Sequence, residues 1–111
     1  MFRILSLVVA LGFTAVPAFA QDADPIAVGQ KVYAAQKCSV CHAVAGVGNK
    51  RGSLDTVGSK LSADEIRQWI VSAPEMAAKT NAARKPVMKA YPNIPKSDLD
   101  TLVAYMASLK K

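Results

Sequence analysis

Along residues 26–37, small and apolar residues fall at Ile26, Gly29, Val32 and Tyr33, three and four apart, with Pro25 just ahead of them. That spacing predicts a helix with one inward face, opened by a proline whose missing N–H costs nothing in a first turn. A second helix is predicted from the capping box Ser62-Ala63-Asp64-Glu65 through Ile66, Trp69 and Ile70, with Pro74 as its stop. A third starts at Ser97-Asp98-Leu99-Asp100 and sets Leu99, Leu102, Val103, Met106 and Leu109 on one face, closing with Lys110 and Lys111 at its negative dipole end. Residues 43–60 hold four glycines and no sustained periodicity, which reads as a loop. Residues 75–96 read as a short helical piece through Met76-Ala77-Ala78, followed by turns around Pro86, Pro92 and Pro95. No segment alternates with period two for long enough to make a strand. The expected fold is therefore all-α, with three main helices and long connecting loops.

Residues 1–20 follow a different pattern. Arg3 precedes a 13-residue apolar stretch from Ile4 to Val16, and Ala18-Phe19-Ala20 supplies a small-x-small cleavage site. This is the pattern of a secretory signal peptide cut after Ala20. A membrane anchor fits less well, because the stretch falls short of the roughly 18 to 20 residues that a spanning helix needs and is broken by Gly12 and Thr14. The expected mature domain, 21–111, loses one basic residue with the signal, so the formal charge falls from +6 to +5. All three Phe go with it, and 15 of the 42 apolar residues left are alanine. Tyr33, Trp69, Tyr91 and Tyr105 are the remaining aromatics. A 91-residue domain with so few large side chains has a thin core, and exported domains of that size usually add disulfides, a metal or a cofactor.

Both cysteines and the single histidine sit together as Cys38-Ser39-Val40-Cys41-His42. This is the pattern of c-type haem attachment. Two thiols one short turn apart can each form a thioether to the two vinyl groups on one porphyrin edge, and the adjacent His is then held under the iron as its proximal ligand. A structural disulfide and a thiol–disulfide exchange pair are the rival readings, but the chain lacks the βαβ pattern that presents a redox C-x-x-C. A zinc site needs four ligands and only three Cys or His residues exist. For the sixth iron position, with no second His, a Met is the obvious donor. Met106 lies on the apolar stripe of the third helix, Met76 follows directly on the helix that Pro74 is expected to end, and Met88 stands in the irregular stretch Lys85-Pro86-Val87-Met88-Lys89-Ala90-Tyr91-Pro92. Met88 is the ligand expected; the alternative is an exposed loop Met and an open or water-filled sixth position.

From about Ile26 to Leu109 the chain resembles the class I c-type cytochromes, the family of mitochondrial cytochrome c and its small bacterial relatives. Besides Cys38, Cys41 and His42, Gly29 and Tyr33 with Leu102 and Tyr105 are similar to that family's crossing of its first and last helices. Leu54, Val57, Gly58 and Leu61 resemble its loop on the proximal side of the haem. The resemblance implies a small cytochrome c fold around one covalent haem c, with the Met ligand in a loop before the last helix, as Met88 is. Trp69 is then either a distal-side aromatic on the haem or a half-buried core residue. Two positions depart from the family. Gly52-Ser53 stands where relatives have Gly-Pro, whose Pro carbonyl accepts the axial histidine's hydrogen bond; a Ser53 carbonyl is the expected substitute. Met88-Lys89 stands where many relatives have Met-Pro.

The function expected is one-electron transfer in the periplasm. No protein residue has to act as acid, base or nucleophile, and saturated iron leaves no substrate site. A dedicated haem subunit of a periplasmic dehydrogenase shares the same chemistry, and an open-site haem sensor or peroxidase is a third reading. With two propionates and the iron counted, the charge becomes roughly +4 oxidised and +3 reduced. Lys31, Lys37, Lys50, Arg51, Arg84, Lys85 and Lys89 flank the segments expected near the haem, which implies redox protein partners with an acidic docking surface, such as an oxidase, a respiratory complex or a dehydrogenase. Nucleic-acid binding is not expected without basic and aromatic residues interleaved, and no membrane anchor is expected after cleavage.

Overall fold

The computed structural model describes residues 24–110 together with Gly12. The residues expected to form a signal peptide, 1–20, lie outside the described residues apart from Gly12, as do residues 21–23 and Lys111. In chain order the elements are helix α1 (Pro25–Ala35), a two-stranded hairpin β1 (Ala43–Val44) and β2 (Val47–Gly48), then α2 (Val57–Lys60), α3 (Ala63–Val71), α4 (Ala73–Thr80) and α5 (Lys96–Ser108). The fold is helical, as the periodicity predicts. The hairpin departs from that expectation, but each strand is only two residues long, around Ala45 and Gly46 at φ 51° and 80°.

The three predicted helices form for the reasons read from their sequences. Asp24 caps α1 by accepting the Ile26 N–H at 3.0 Å, with Pro25 in the first turn. Ser62 and Glu65 close the capping box of α3 in both directions, at 3.2 and 3.1 Å. Helix α5 opens one residue earlier than expected, and Lys110 falls beyond its end, so no basic side chain sits in its last turn. Pro74 does not stop α3. It lies in the first turn of α4, which runs eight residues rather than the short piece expected. Ser72 makes the break between the two helices, and Asn81 closes α4 in the left-handed region at φ 53°.

Helices α1 and α5 cross at Gly29. A Cβ there would run into the Thr101 carbonyl and come within 2.6 Å of the Tyr105 Cβ, so only glycine allows this approach. Beside the crossing, the Tyr33 and Tyr105 rings meet edge to face at 5.8 Å. Helix α3 adds Ile66 and Ile70 to a core otherwise made by Val32 and Tyr33 of α1 and by Leu99, Leu102, Val103, Tyr105 and Met106 of α5. Met106 is thus a core residue. Leu54, Val57 and Leu61 pack against this cluster, and Gly58 is pinned to the end of α5 by its N–H on the Leu109 carbonyl at 2.8 Å. Trp69 is half-buried, outside the core cluster.

Candidate functional site

Helix α1 delivers the chain to the site through Gln36 and Lys37, the latter in the left-handed region at φ 58°. A tight turn over Cys38–Val40 follows, in which the Cys41 and His42 N–H groups both reach the Cys38 carbonyl, at 3.1 and 2.9 Å. One turn therefore sets Cys38, Cys41 and His42 together. Cys38 is half-buried against the core, Cys41 is exposed, and no disulfide joins them. Burial pushes the Cys38 thiol above its ordinary pKa.

The His42 ring is half-buried, and its Nδ1 lies 3.0 Å from the Gly52 carbonyl oxygen. A carbonyl only accepts, so Nδ1 carries the proton and Nε2 keeps its lone pair. The acceptor is Gly52, not the Ser53 carbonyl expected from the family pattern. The Ser53 hydroxyl instead accepts the Asp55 N–H at 3.4 Å. Burial lowers the His42 pKa; the Gly52 hydrogen bond opposes this and the nearby Arg84 cation adds to it. The ring is thereby held neutral, the form that ligates a metal.

Asn49 ties the attachment turn to the loop that carries Gly52. Its N–H lies 3.1 Å from the Ser39 carbonyl and 2.9 Å from that of His42, its side-chain amide donates to Val40 at 3.3 Å, and its own carbonyl receives the Gly52 N–H at 3.1 Å. Gly48 precedes it at φ 110°, where a Cβ would strike the His42 carbonyl. Neither residue is marked as functional by sequence pattern; the one signal available was the glycine density of residues 43–60.

Met88 lies in the connection between α4 and α5. It is half-buried and lines a cleft of about 650 Å³ with Pro74, Ala77, Ala78, Asn81 and Val87. No hydrogen bond joins Met88 to the His42 turn directly. Its neighbours approach that turn from two sides. Downstream, the Tyr91 N–H binds the Ile70 carbonyl at 2.8 Å and its ring packs on the core; its hydroxyl pKa is raised by burial and by the nearness of Cys38 and Cys41. Upstream, Arg84 donates to the Cys41 carbonyl. Met76 is half-buried on α4.

The donor set suits a covalently held planar group better than a caged ion. Among the described residues no three His, Cys, Asp or Glu side chains are grouped so as to hold a metal between them. No large side chain there is completely enclosed, and the buried Tyr33 hydroxyl, close enough to Cys38 to feel its charge, has no hydrogen-bond partner. Burial, with Cys38 and Tyr105 nearby, pushes that hydroxyl up to about 12. A porphyrin attached at Cys38 and Cys41 would lie near this unpartnered hydroxyl. No described helix is long and apolar enough to cross a membrane.

The family model described as Cytochrome c matches residues 26–110. Cytochrome c oxidase subunit 2 of Alkalihalophilus pseudofirmus is 31% identical over 90 residues, a match that covers 74% of this chain and 25% of that protein. The chain thus spans about a quarter of the length of that relative. No solved structure matches.

Proposed function

The chain belongs to the cytochrome c family, and from that premise we propose that it is an exported, periplasmic one-electron carrier with a single haem c. Cys38 and Cys41 supply its thioethers, and His42 and Met88 its axial ligands. Covalent haem and electron transfer come with the family; export, the ligand pair and the partners are our reading. The observation that carries the ligand assignment is the His42 Nδ1 on the Gly52 carbonyl at 3.0 Å, which leaves Nε2 free on the same turn as the two thiols.

When bound, haem supplies the ferric–ferrous couple. The chain's own groups set the conditions. Gly52 fixes the His42 tautomer and ring orientation and raises its basicity as a ligand. A Met88 thioether is a soft donor that favours the ferrous state and raises the potential. Leu54, Val57 and Tyr91 pack on the same core as Cys38, next to Tyr33. The basic residues from Lys31 to Lys89 named above are all exposed, which supports steering toward an acidic partner. The match to part of an oxidase subunit 2 supports a respiratory oxidase as the electron acceptor.

The test is an intact mass with a reduced-minus-oxidised spectrum of the protein after export. The expected mass is that of residues 21–111 plus one haem, with the weak far-red band of sulfur–iron ligation in the ferric form. Persistence of that band in Met88→Ala overturns the ligand, and a haem-free mass overturns the function.

A further inference from the structure

Residues 81–95 carry Met88 yet are fastened to the rest of the fold at few points. Asn81 and Ala82 close α4, the latter through its N–H on the Ala77 carbonyl at 2.9 Å, and the Tyr91 N–H holds Ile70 at 2.8 Å. Among the described residues, positions 83–90 make a single hydrogen bond, from Arg84 Nη2 to the Cys41 carbonyl, forty-three residues back in the chain.

The Arg84 guanidinium also lies close beside Gly52. A Cβ added at Gly52 would collide with Arg84 Nη1 and with the Cys41 carbonyl. Gly52 is the residue whose carbonyl accepts the hydrogen bond from His42 Nδ1. One cation therefore touches the carbonyl between Cys41 and His42, the glycine that orients the His42 ring, and, through four residues of backbone, Met88. A guanidinium suits this place because its rigid fork donates from Nη2 to the Cys41 carbonyl while Nη1 lies beside Gly52, a fixed geometry that a flexible ammonium does not reproduce.

We propose that Arg84 is a positioning residue for both axial ligands: it clamps the Met88 loop to the attachment turn and seats the Gly52 carbonyl under His42. The proposal rests on the reading of Met88 as a ligand. Without the clamp, the loop between Ala82 and Tyr91 is free to lift, and the sulfur leaves the iron more often. The fixed charge beside His42 also disfavours the ferric state, so its removal lowers the reduction potential.

The test compares ferric wild type, Arg84→Gln, Arg84→Lys and Met88→Ala by imidazole titration, with potentials and amide hydrogen exchange on the same proteins. Arg84→Gln is expected to bind imidazole about tenfold more tightly, the effect of losing one exposed charge-assisted hydrogen bond, and to have a lowered potential. Arg84→Lys is expected to keep the potential but still bind imidazole more tightly, because it keeps the charge and loses the fork. The Gly52 and Tyr91 amides are expected to exchange faster in both variants. If Met88→Ala binds imidazole tightly and Arg84→Gln behaves as wild type, the clamp is overturned. If Met88→Ala binds imidazole no better than wild type, the ligand assignment fails instead. The clamp is then decided by exchange alone: unchanged Gly52 and Tyr91 amides overturn it, and faster ones support it.

Discussion

Replacing Gly29 by alanine sets two effects of opposite sign against each other. In a helix interior alanine is favoured over glycine by about 1 kcal/mol, so propensity alone makes Gly29→Ala stabilising. The new Cβ, however, would run into the Thr101 carbonyl and lie 2.8 Å from the Thr101 carbonyl carbon and 2.6 Å from the Tyr105 Cβ. Two of these atoms are backbone of α5, so no side-chain rotation relieves the contact and the helices must separate. Overpacking costs about 1 to 3 kcal/mol, and contact with backbone puts this case at the upper end. The net expectation is a loss of about 2 kcal/mol, or roughly 8 to 16 °C in Tm for a domain this size. Gly29→Val should lose more. The assay is guanidinium unfolding of the ferric protein followed by far-ultraviolet circular dichroism, comparing midpoints at unchanged slope. Ala34→Gly, on the exposed side of the same helix, measures the propensity contribution directly and should cost about 1 kcal/mol. A Gly29→Ala protein as stable as wild type, alongside an Ala34→Gly protein that loses the expected amount, would refute the steric premise.

Four further outcomes are expected. Gly48→Ala forces a side chain into φ 110° and into the His42 carbonyl, so it should cost about 1 to 3 kcal/mol and reduce the yield of haem-bound protein, read by absorbance per chain. The hydrogen bonds from Ser62 hold the Glu65 carboxyl below the ordinary glutamate range. A depressed folded-state pKa stabilises at neutral pH and is lost as pH falls through that lowered value; Glu65→Gln should therefore flatten the acid limb of a stability–pH curve, and an unchanged limb counts against the cap. Cys38→Ala/Cys41→Ala should be largely unfolded, since the core is left open without its group; a compact helical dichroism spectrum would contradict this. Association with an acidic redox partner should slow as ionic strength rises, and a rate indifferent to salt would remove the steering role of the basic face.

The parts legible in the sequence are those in which chemistry or geometry is local. Cys38, Cys41 and His42 lie within one turn because thioether attachment requires adjacency, and Ser62 with Glu65 announces a helix start because both partners lie within four residues. Gly29 and Tyr105 were readable as a crossing only through the family resemblance, since they are far apart in sequence. Pro74 was misread for a physical reason: it blocks the interior of a helix but suits a first turn, and nothing local says which side of the break it occupies. Helix α4 was underestimated because its alanines give little contrast between faces. The hairpin depends on Ala45 at positive φ, a conformation its side chain does not advertise. The His42 acceptor was expected one residue too late, at Ser53 rather than Gly52, because a sequence does not show which way a carbonyl points. Arg84 was legible only as one basic residue among several near the haem segments, since its partner is a backbone oxygen far away in the chain.

The distribution of the core along the chain bears on how the protein is made. Of its nine core residues, Leu99, Leu102, Val103, Tyr105 and Met106 belong to α5, which is synthesised after everything it packs against. Until those residues emerge, α1 and α3 have only Val32, Tyr33, Ile66 and Ile70 to bury, too little to outweigh the entropy of ordering the chain. Ribosomes add about 5 to 20 residues per second, so the Cys38–His42 turn exists for seconds on a nascent chain that cannot yet close over it. If the chain is exported as proposed, it would cross the membrane with this core still unmade and its two thiols open.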